Sequence, residues 1–357
     1  MLRYSFVKFY AFLSALLLCN LLQAQIGGTK SFRFLDVPQS ARAAGNGGST
    51  LPLAGDDINL LYSNPASLNA GMTKQVSFNY CNYVGDINYY NLAYAHQFKK
   101  IGTTALSLQA MNYGEFQGYD EIGNATKTFR ARDYSFNLHY AKSIADSMFT
   151  VGLALKTILS QYENFQTMGN AVDFGILYHG KKDFTVGLTA RNVGFMHQAY
   201  NLPTGTREAL PNTVQVGVSK KVNKAPFRVF GVYDQLLRWN LNYVSPIDTA
   251  GQNSSFGKAT AVDSSGFQKF SKRAGSFTDQ FFRHTTIGTE ILLSKNFNLR
   301  IAYNYRRQKE YTLSEKRGAS ALSFGFNMKI KSFEFAYAFT KMSVPANSHM
   351  LGLTLKW

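Results

Sequence analysis

Cysteine, proline and charge are all scarce in this sequence, and each shortage excludes something. Among 357 residues there are 2 cysteines, Cys19 and Cys81. Cys19 falls in a segment expected to be cleaved, and the remaining thiol can close no internal disulfide and completes no paired zinc-ligand spacing. Cys81 is therefore expected to be a small buried or lipid-facing side chain. The 8 prolines avoid the interiors of the apparent strands: Pro203, Pro246 and Pro345 fall between them, and Pro211 and Pro226 at their starts. A sheet without free edges requires this, because proline cannot donate to the ladder. After the N-terminus no apolar run reaches the roughly 18 residues of a membrane helix, and the mean hydropathy is −0.18. Charged residues make up only 17%, against 45% hydrophobic and 15% aromatic, which excludes a disordered acidic chain. One membrane class survives these tests. A transmembrane β-barrel confines its lipid face to alternate residues and keeps a low average hydropathy.

The N-terminus reads as a secretory leader. Arg3 and Lys8 precede a mostly apolar stretch from Phe9 to Leu22, and Leu22-Gln23-Ala24 offers a small residue for cleavage before Gln25. Residues 1–24 are expected to be removed. Leu18 stands before Cys19 where a lipoprotein signal wants a small residue, so Cys19 is expected to go with the leader.

From about residue 74 to Trp357 a two-residue period recurs, in runs of roughly ten residues separated by turns. In Phe333-Glu334-Phe335-Ala336-Tyr337-Ala338-Phe339-Thr340 the rings share one face. In the preceding run Leu322, Phe324, Phe326, Met328 and Ile330 oppose Ser323, Gly325, Asn327 and Lys329. The second face is small and polar, as expected where one side meets lipid and the other an aqueous or plugged lumen. About fourteen such runs can be counted, an even number that places both ends on one side of the membrane. Links alternate between short ones, such as Phe98 to Ile101, His179 to Lys182, Ser294 to Asn296 and Ile330-Lys331, and longer ones, such as Gly114 to Thr128, Phe195 to Leu210 and Asn240 to Phe282. Short periplasmic turns and long outer loops are the outer-membrane arrangement. The expected fold is all-β, a transmembrane antiparallel barrel over 74–357 with a long loop at 240–282. Its last strand would end on the interfacial ring of Trp357.

Residues 25–73 differ, being rich in Gly and Ala. A barrel of about fourteen strands is too wide for its own side chains to fill. The segment is read as a partly helical lumenal plug, with Asn64-Pro65-Ala66 as a turn or helix start near Asp57. As a free tail it would leave Leu60, Leu61 and Tyr62 without cover.

Within and around that segment, Gly27-Gly28-Thr29, Phe32-Arg33-Phe34-Leu35, Pro38, Ser40-Ala41-Arg42, Gly47-Gly48 and Asn64-Pro65-Ala66 form a pattern. It resembles the N-terminal pattern of FadL-like outer-membrane proteins of the Bacteroidetes type IX secretion system, the PorQ-like members most closely; PorV-like members share the fold. The resemblance implies a fourteen-strand barrel with an N-terminal hatch in a Bacteroidetes-type Gram-negative outer membrane. It also implies a non-enzymatic anchor in a surface attachment complex with PorU, PorV and a PorZ-like protein, where cargo is processed and joined to lipopolysaccharide. A PorV-like cargo shuttle is the near alternative. The motifs define no interface residues. From this sequence alone, Phe256, Phe267 and Phe270 in the long loop are candidate docking residues, set against a mobile, solvated loop.

The formal charge of +17 is not that of a nucleic-acid groove, since the aromatics sit at strand spacing rather than interleaving a basic stripe. Lysines instead gather at the short turns: Lys99, Lys100, Lys181, Lys182, Lys220, Lys221, Lys224, Lys295, Lys329 and Lys331. They form an expected periplasmic rim, beside lipid phosphates or facing an acidic partner. His96, His139, His179, His197, His284 and His349 show no metal-ligand spacing. Ser255-Phe256-Gly257-Lys258 lacks the companion motifs of a penicillin-recognising site. No catalytic residue, metal or cofactor is expected. The rival to a scaffold is a transporter of hydrophobic solutes with a moving hatch and lateral opening. In it Gly152, Gly175 and Gly187 would mark a wall kink, against a reading as small lumenal positions. If the alternation faces lipid, the mature chain should fold in micelles or vesicles and fail to stay folded and monomeric in plain buffer. Size-exclusion chromatography with circular dichroism checks this.

Overall fold

The computed structural model describes residues 30–99, 101–144, 148–200, 207–241, 277–310, 321–341 and 347–357. The expected leader, Lys100 and the loop residues Phe256, Phe267 and Phe270 lie outside the described residues. Fourteen strands follow one another: β1 Gln75–Val84, β2 Ile87–Phe98, β3 Gly102–Tyr119, β4 Ala125–Ile144, β5 Phe149–Tyr162, β6 Phe165–His179 and β7 Phe184–Met196. The second half comprises β8 Thr213–Lys221, β9 Phe227–Tyr233, β10 Thr285–Leu292, β11 Phe297–Asn304, β12 Leu322–Ile330, β13 Phe333–Thr340 and β14 Ser348–Lys356. Each pairs with its sequence neighbours, and β1 pairs with β14 from Gln75↔Lys356 to Asn82↔His349, so the sheet closes. Closure gives every strand a hydrogen-bonded neighbour on each side, which is what a wall in hydrocarbon needs.

Burial is inverted relative to a water-soluble protein. Leu106 is 61% and Phe136 50% exposed, while Asp133 and Ser135 are 0% exposed. Along β1, Ser77, Asn79 and Cys81 point inward and Phe78 outward. The period of two thus sends large apolar groups to lipid and small polar ones to the lumen. Cys81 is a buried, inward-facing free thiol.

Two expectations are corrected. The stretch from Gly114 to Thr128 is not a long loop: β3 and β4 run through most of it and turn tightly at residues 120–124. Here Asp120 accepts from the Asn124 and Ile122 backbones and replaces part of the ladder. At the other side, β9 and β11 stop early; Tyr305–Glu310 is helical, and residues 277–283 of the expected loop are helical too. The wall is therefore tall at β3–β6 and short at β8–β11.

The glycines named as possible kinks are close-packing positions. Gly152 pairs with Gly175 with no register shift between β5 and β6. The backbone of Pro65 and Ala66 lies where a Gly152 side chain would be, and Leu51 lies over Gly187. The irregularity in this part of the wall is one pair away, in β6–β7. There Asp173 stands against a bulge containing Arg191 and Asn192, the latter at φ 55°. Gly152→Val should push the inner segment off the wall. An overpacking loss of about 1–3 kcal/mol is expected, read as a smaller heat-modifiable folded fraction on electrophoresis, with Gly231→Ala, at a position with open space, behaving as wild type.

Candidate functional site: the filled lumen

Residues 30–74 enter the lumen at its outer end and leave it at the base of β1. Lys30 bridges to Ala209, in the outer link between β7 and β8. Asn212 accepts from the Lys30 ammonium at 3.1 Å. The chain then makes short turns, each started by a side chain that caps the free amides. Ser40 accepts from Ala43 N–H before Ala41–Gly45, and Asp57 from Asn59 N–H before Ile58–Tyr62. Asn64 accepts from Ala66 N–H before Pro65–Ser67, where proline occupies the first helical position. Asn64 also donates to the Ile176 carbonyl of β6 at 3.3 Å. These pieces are too short to be stable alone; packing holds them. Leu51, Leu53, Ile58, Leu60, Leu61 and Met72 are essentially fully buried against the inner wall.

The segment touches the wall from opposite sides. Ala41–Gly45 packs on β11 to β14, and Pro65–Ser67 on β4 to β6. Ala70–Met72 reaches β2, and Leu51 with Pro52 covers Gly187 and Gly217 on β7 and β8. Higher in the lumen, Phe32, Phe34 and Leu35 join Tyr89, Met111, Ile158, Met196 and Leu210 in one apolar cluster.

An ion network fastens this segment to the wall. Glu290 of β10, 1% exposed, receives Arg42 through two bonds of 2.9 and 3.0 Å. Arg228 of β9 reaches it at 3.1 Å, Arg300 of β11 at 3.3 Å, and the Asn46 amide at 3.1 Å. Arg42 also pairs with Asp57 at 3.1 Å. Burial works against the Arg42 charge, but Glu290 and Asp57 outweigh it and hold its proton more tightly than on a free guanidinium. Arg300 continues to Asn327 at 2.6 Å, and Asn327 to Glu334 at 2.8 Å. A second buried pair, Lys156 with Asp173 at 2.7 Å, stays within the wall at the bulge; Lys156 also donates to Asn192 at 2.8 Å. In the outer half Asp133 accepts from Tyr113 at 2.6 Å, from Tyr162 at 2.9 Å and from Ser160.

The sequence-derived residues divide. Asp57 and Asn64-Pro65-Ala66 sit together in the lumen, on consecutive turns. The described rim lysines lie at the short-turn edge outside the lumen, and none hydrogen-bonds to these residues. Arg42 stood in the sequence pattern, but Glu290, Arg228 and Arg300 did not. The one signal for them is charge at lumen-parity positions of adjacent apolar strands. Among the described residues no group of three or more His, Cys, Asp or Glu is arranged to hold a metal ion. The network is a fastening, with every carboxylate of it engaged.

No protein-family model matches the chain, and no curated protein matches it. Solved structures do. The toluene transporter TbuX of Ralstonia pickettii superposes with a TM-score of 0.51 at 11% identity, covering 93% of this chain and 100% of that one. A TodX monoaromatic hydrocarbon channel with its S2 element deleted gives 0.50 at 12%, covering 89% and 97%. A FadL homologue of Pseudomonas aeruginosa gives 0.46 at 9%, covering 88% and 97%. At these identities the likeness is one of fold. The closed barrel and its lipid-facing apolar belt place the chain in the outer membrane of a Gram-negative bacterium.

Glu290→Gln leaves the buried Arg300 and the half-buried Arg42 and Arg228 guanidinium groups around a neutral amide. It should cost about 3–5 kcal/mol, read by urea unfolding of the barrel in vesicles. Glu115→Gln, which breaks the exposed Glu115–Arg130 pair, should cost less than about 1 kcal/mol.

Proposed function

We propose that this protein is a non-enzymatic outer-membrane scaffold whose barrel is closed by its own N-terminal segment. In this reading it is a PorQ-like anchor of a type IX surface attachment complex, holding a PorZ-like protein alongside PorU and PorV during cargo processing and joining to lipopolysaccharide. The observation that carries closure is the bidentate Arg42–Glu290 salt bridge from segment to wall, reinforced by Asp57, Arg228 and Arg300. A path for solutes would have to break it, and a scaffold would keep it. The assignment to the attachment complex rests on the resemblance of residues 27–66.

A second reading has its own support. The structural neighbours include a toluene transporter and a monoaromatic hydrocarbon channel, and the apolar cluster around Phe32, Phe34 and Leu35 occupies the outer lumen. In this reading the segment moves and a greasy solute passes. The comparisons stand nearer to this second reading than to the first.

Deleting the gene separates them. The scaffold reading expects type IX cargo to be released unattached with its signal domain retained, and uptake of an aromatic hydrocarbon to be unchanged. Normal attachment with uptake reduced severalfold would overturn it in favour of transport. Purified protein in a planar bilayer should carry no steady conductance, and Glu290→Gln should add intermittent openings.

A further inference from the structure

The short-turn edge of the barrel repeats one local arrangement. β7, β9, β11 and β13 each begin with a phenylalanine, Phe184, Phe227, Phe297 and Phe333, and each is preceded within two or three residues by a lysine, Lys182, Lys224, Lys295 and Lys331. Strand parity turns all four rings outward, since the next residues Thr185, Arg228, Asn298 and Glu334 take the lumenal side. All four lysines are exposed, and none makes an ion pair or side-chain hydrogen bond among the described residues. Lys220, outward on β8, stands directly across from Phe184 in the pairing.

Two further features set this edge apart. Lys182, Lys224 and Lys331 have φ of 58°, 61° and 54°, a left-handed conformation that glycine or asparagine adopts at lower cost. Lysine is therefore held where turn geometry alone favours another residue. Apart from residues 145–148 before β5, the short turns also carry lysine and no arginine, whereas the Glu290 network uses Arg42 and Arg300 and the outer mouth uses Arg283 and Arg306 beside Lys309. Arginine suits a fixed planar fork; lysine is a point charge on a flexible stem. A ring at the interface with an ammonium just beyond it matches the depth of acyl boundary and headgroup phosphate.

We propose that this edge is a binding collar for anionic phospholipid of the inner, periplasm-facing leaflet. Each lysine-phenylalanine turn takes one headgroup, the ring fixing depth and the ammonium pairing with phosphate. An acidic periplasmic protein would need the lysines to form one directed surface, and they are spaced around the rim instead.

The test reconstitutes the full mature barrel into nanodiscs of equal phosphatidylethanolamine and phosphatidylglycerol. The lipid retained after brief detergent extraction is then measured by mass spectrometry. Wild type should retain phosphatidylglycerol enriched at least about twofold over the bulk ratio. The variant carrying Lys182→Asn, Lys224→Asn, Lys295→Asn and Lys331→Asn keeps residues suited to the turns and should return to the bulk ratio while its folded fraction is unchanged. Equal enrichment in both proteins would overturn the proposal. So would absence of enrichment in wild type, including the case where an acidic periplasmic protein binds wild type and not the variant.

Discussion

One carboxylate decides how this barrel is filled. Fourteen strands close around a lumen that their own side chains cannot span, and the inner wall they present is polar because lipid claims the other face. An unfilled interior of that kind would be a water channel. Glu290 converts it into a packed interface by collecting Arg42 from the inner segment and Arg228 and Arg300 from the neighbouring strands. Asp57, and Glu334 through Asn327, bring the carboxylates of the network to three against three guanidinium groups. Burying charge is costly unless it is paired and bonded, and here the pairing is completed only with the segment in place, which adds Arg42 and Asp57. The segment's position is therefore written into the wall.

That dependence explains the composition of the segment. Ala41, Ala43, Ala44 and Gly45 make a helix of one turn narrow enough to approach β12, where a side chain on Gly45 would lie 3.2 Å from the Gly325 α-carbon. On the far side, Pro65-Ala66 rests on paired wall glycines. Small residues on both surfaces bring backbones close, and the longer Leu51, Leu60 and Leu61 fill the space left between. The tall β3–β6 side carries the second polar cluster at Asp133, and the short β8–β11 side is topped by a helix with exposed Phe277 and Phe281 and by the exposed Trp239 in the chain after β9.

The wall was legible because its rule is local. A period of two needs only a residue and its neighbours, so runs such as 333–340 announced themselves, and proline marked their limits. Strand ends were less visible. Residues 114–128 carry glycine, aspartate and asparagine, which read as a loop, yet cross-strand pairs such as Phe116 with Phe129 extend the ladder through most of it. Asn64-Pro65-Ala66 was readable as a helix start because capping is also local. The ion network was not, since Arg42 and Glu290 are 248 residues apart and only barrel closure brings them together. A charged residue on the lumenal parity of an apolar strand is the trace it leaves in sequence. Glu290, Arg300 and Lys156 all carry that trace.

The division of cations follows from what each surface must recognise. Within the lumen the Arg42 guanidinium faces two fixed carboxylates, Glu290 and Asp57, and its two parallel bonds to Glu290 set both distance and orientation. A lysine there would satisfy charge but not geometry, and the segment could turn about it. At the short-turn edge Lys182, Lys224, Lys295 and Lys331 have no ion-pair partner among the described residues, and the surface proposed for them is fluid. A directional fork would gain little against a moving headgroup, whereas three rotatable N–H donors on a long stem can follow it. The same net positive charge thus does two jobs near the short-turn end of the barrel: arginine fixes one segment inside the wall, and lysine meets a changing boundary outside it.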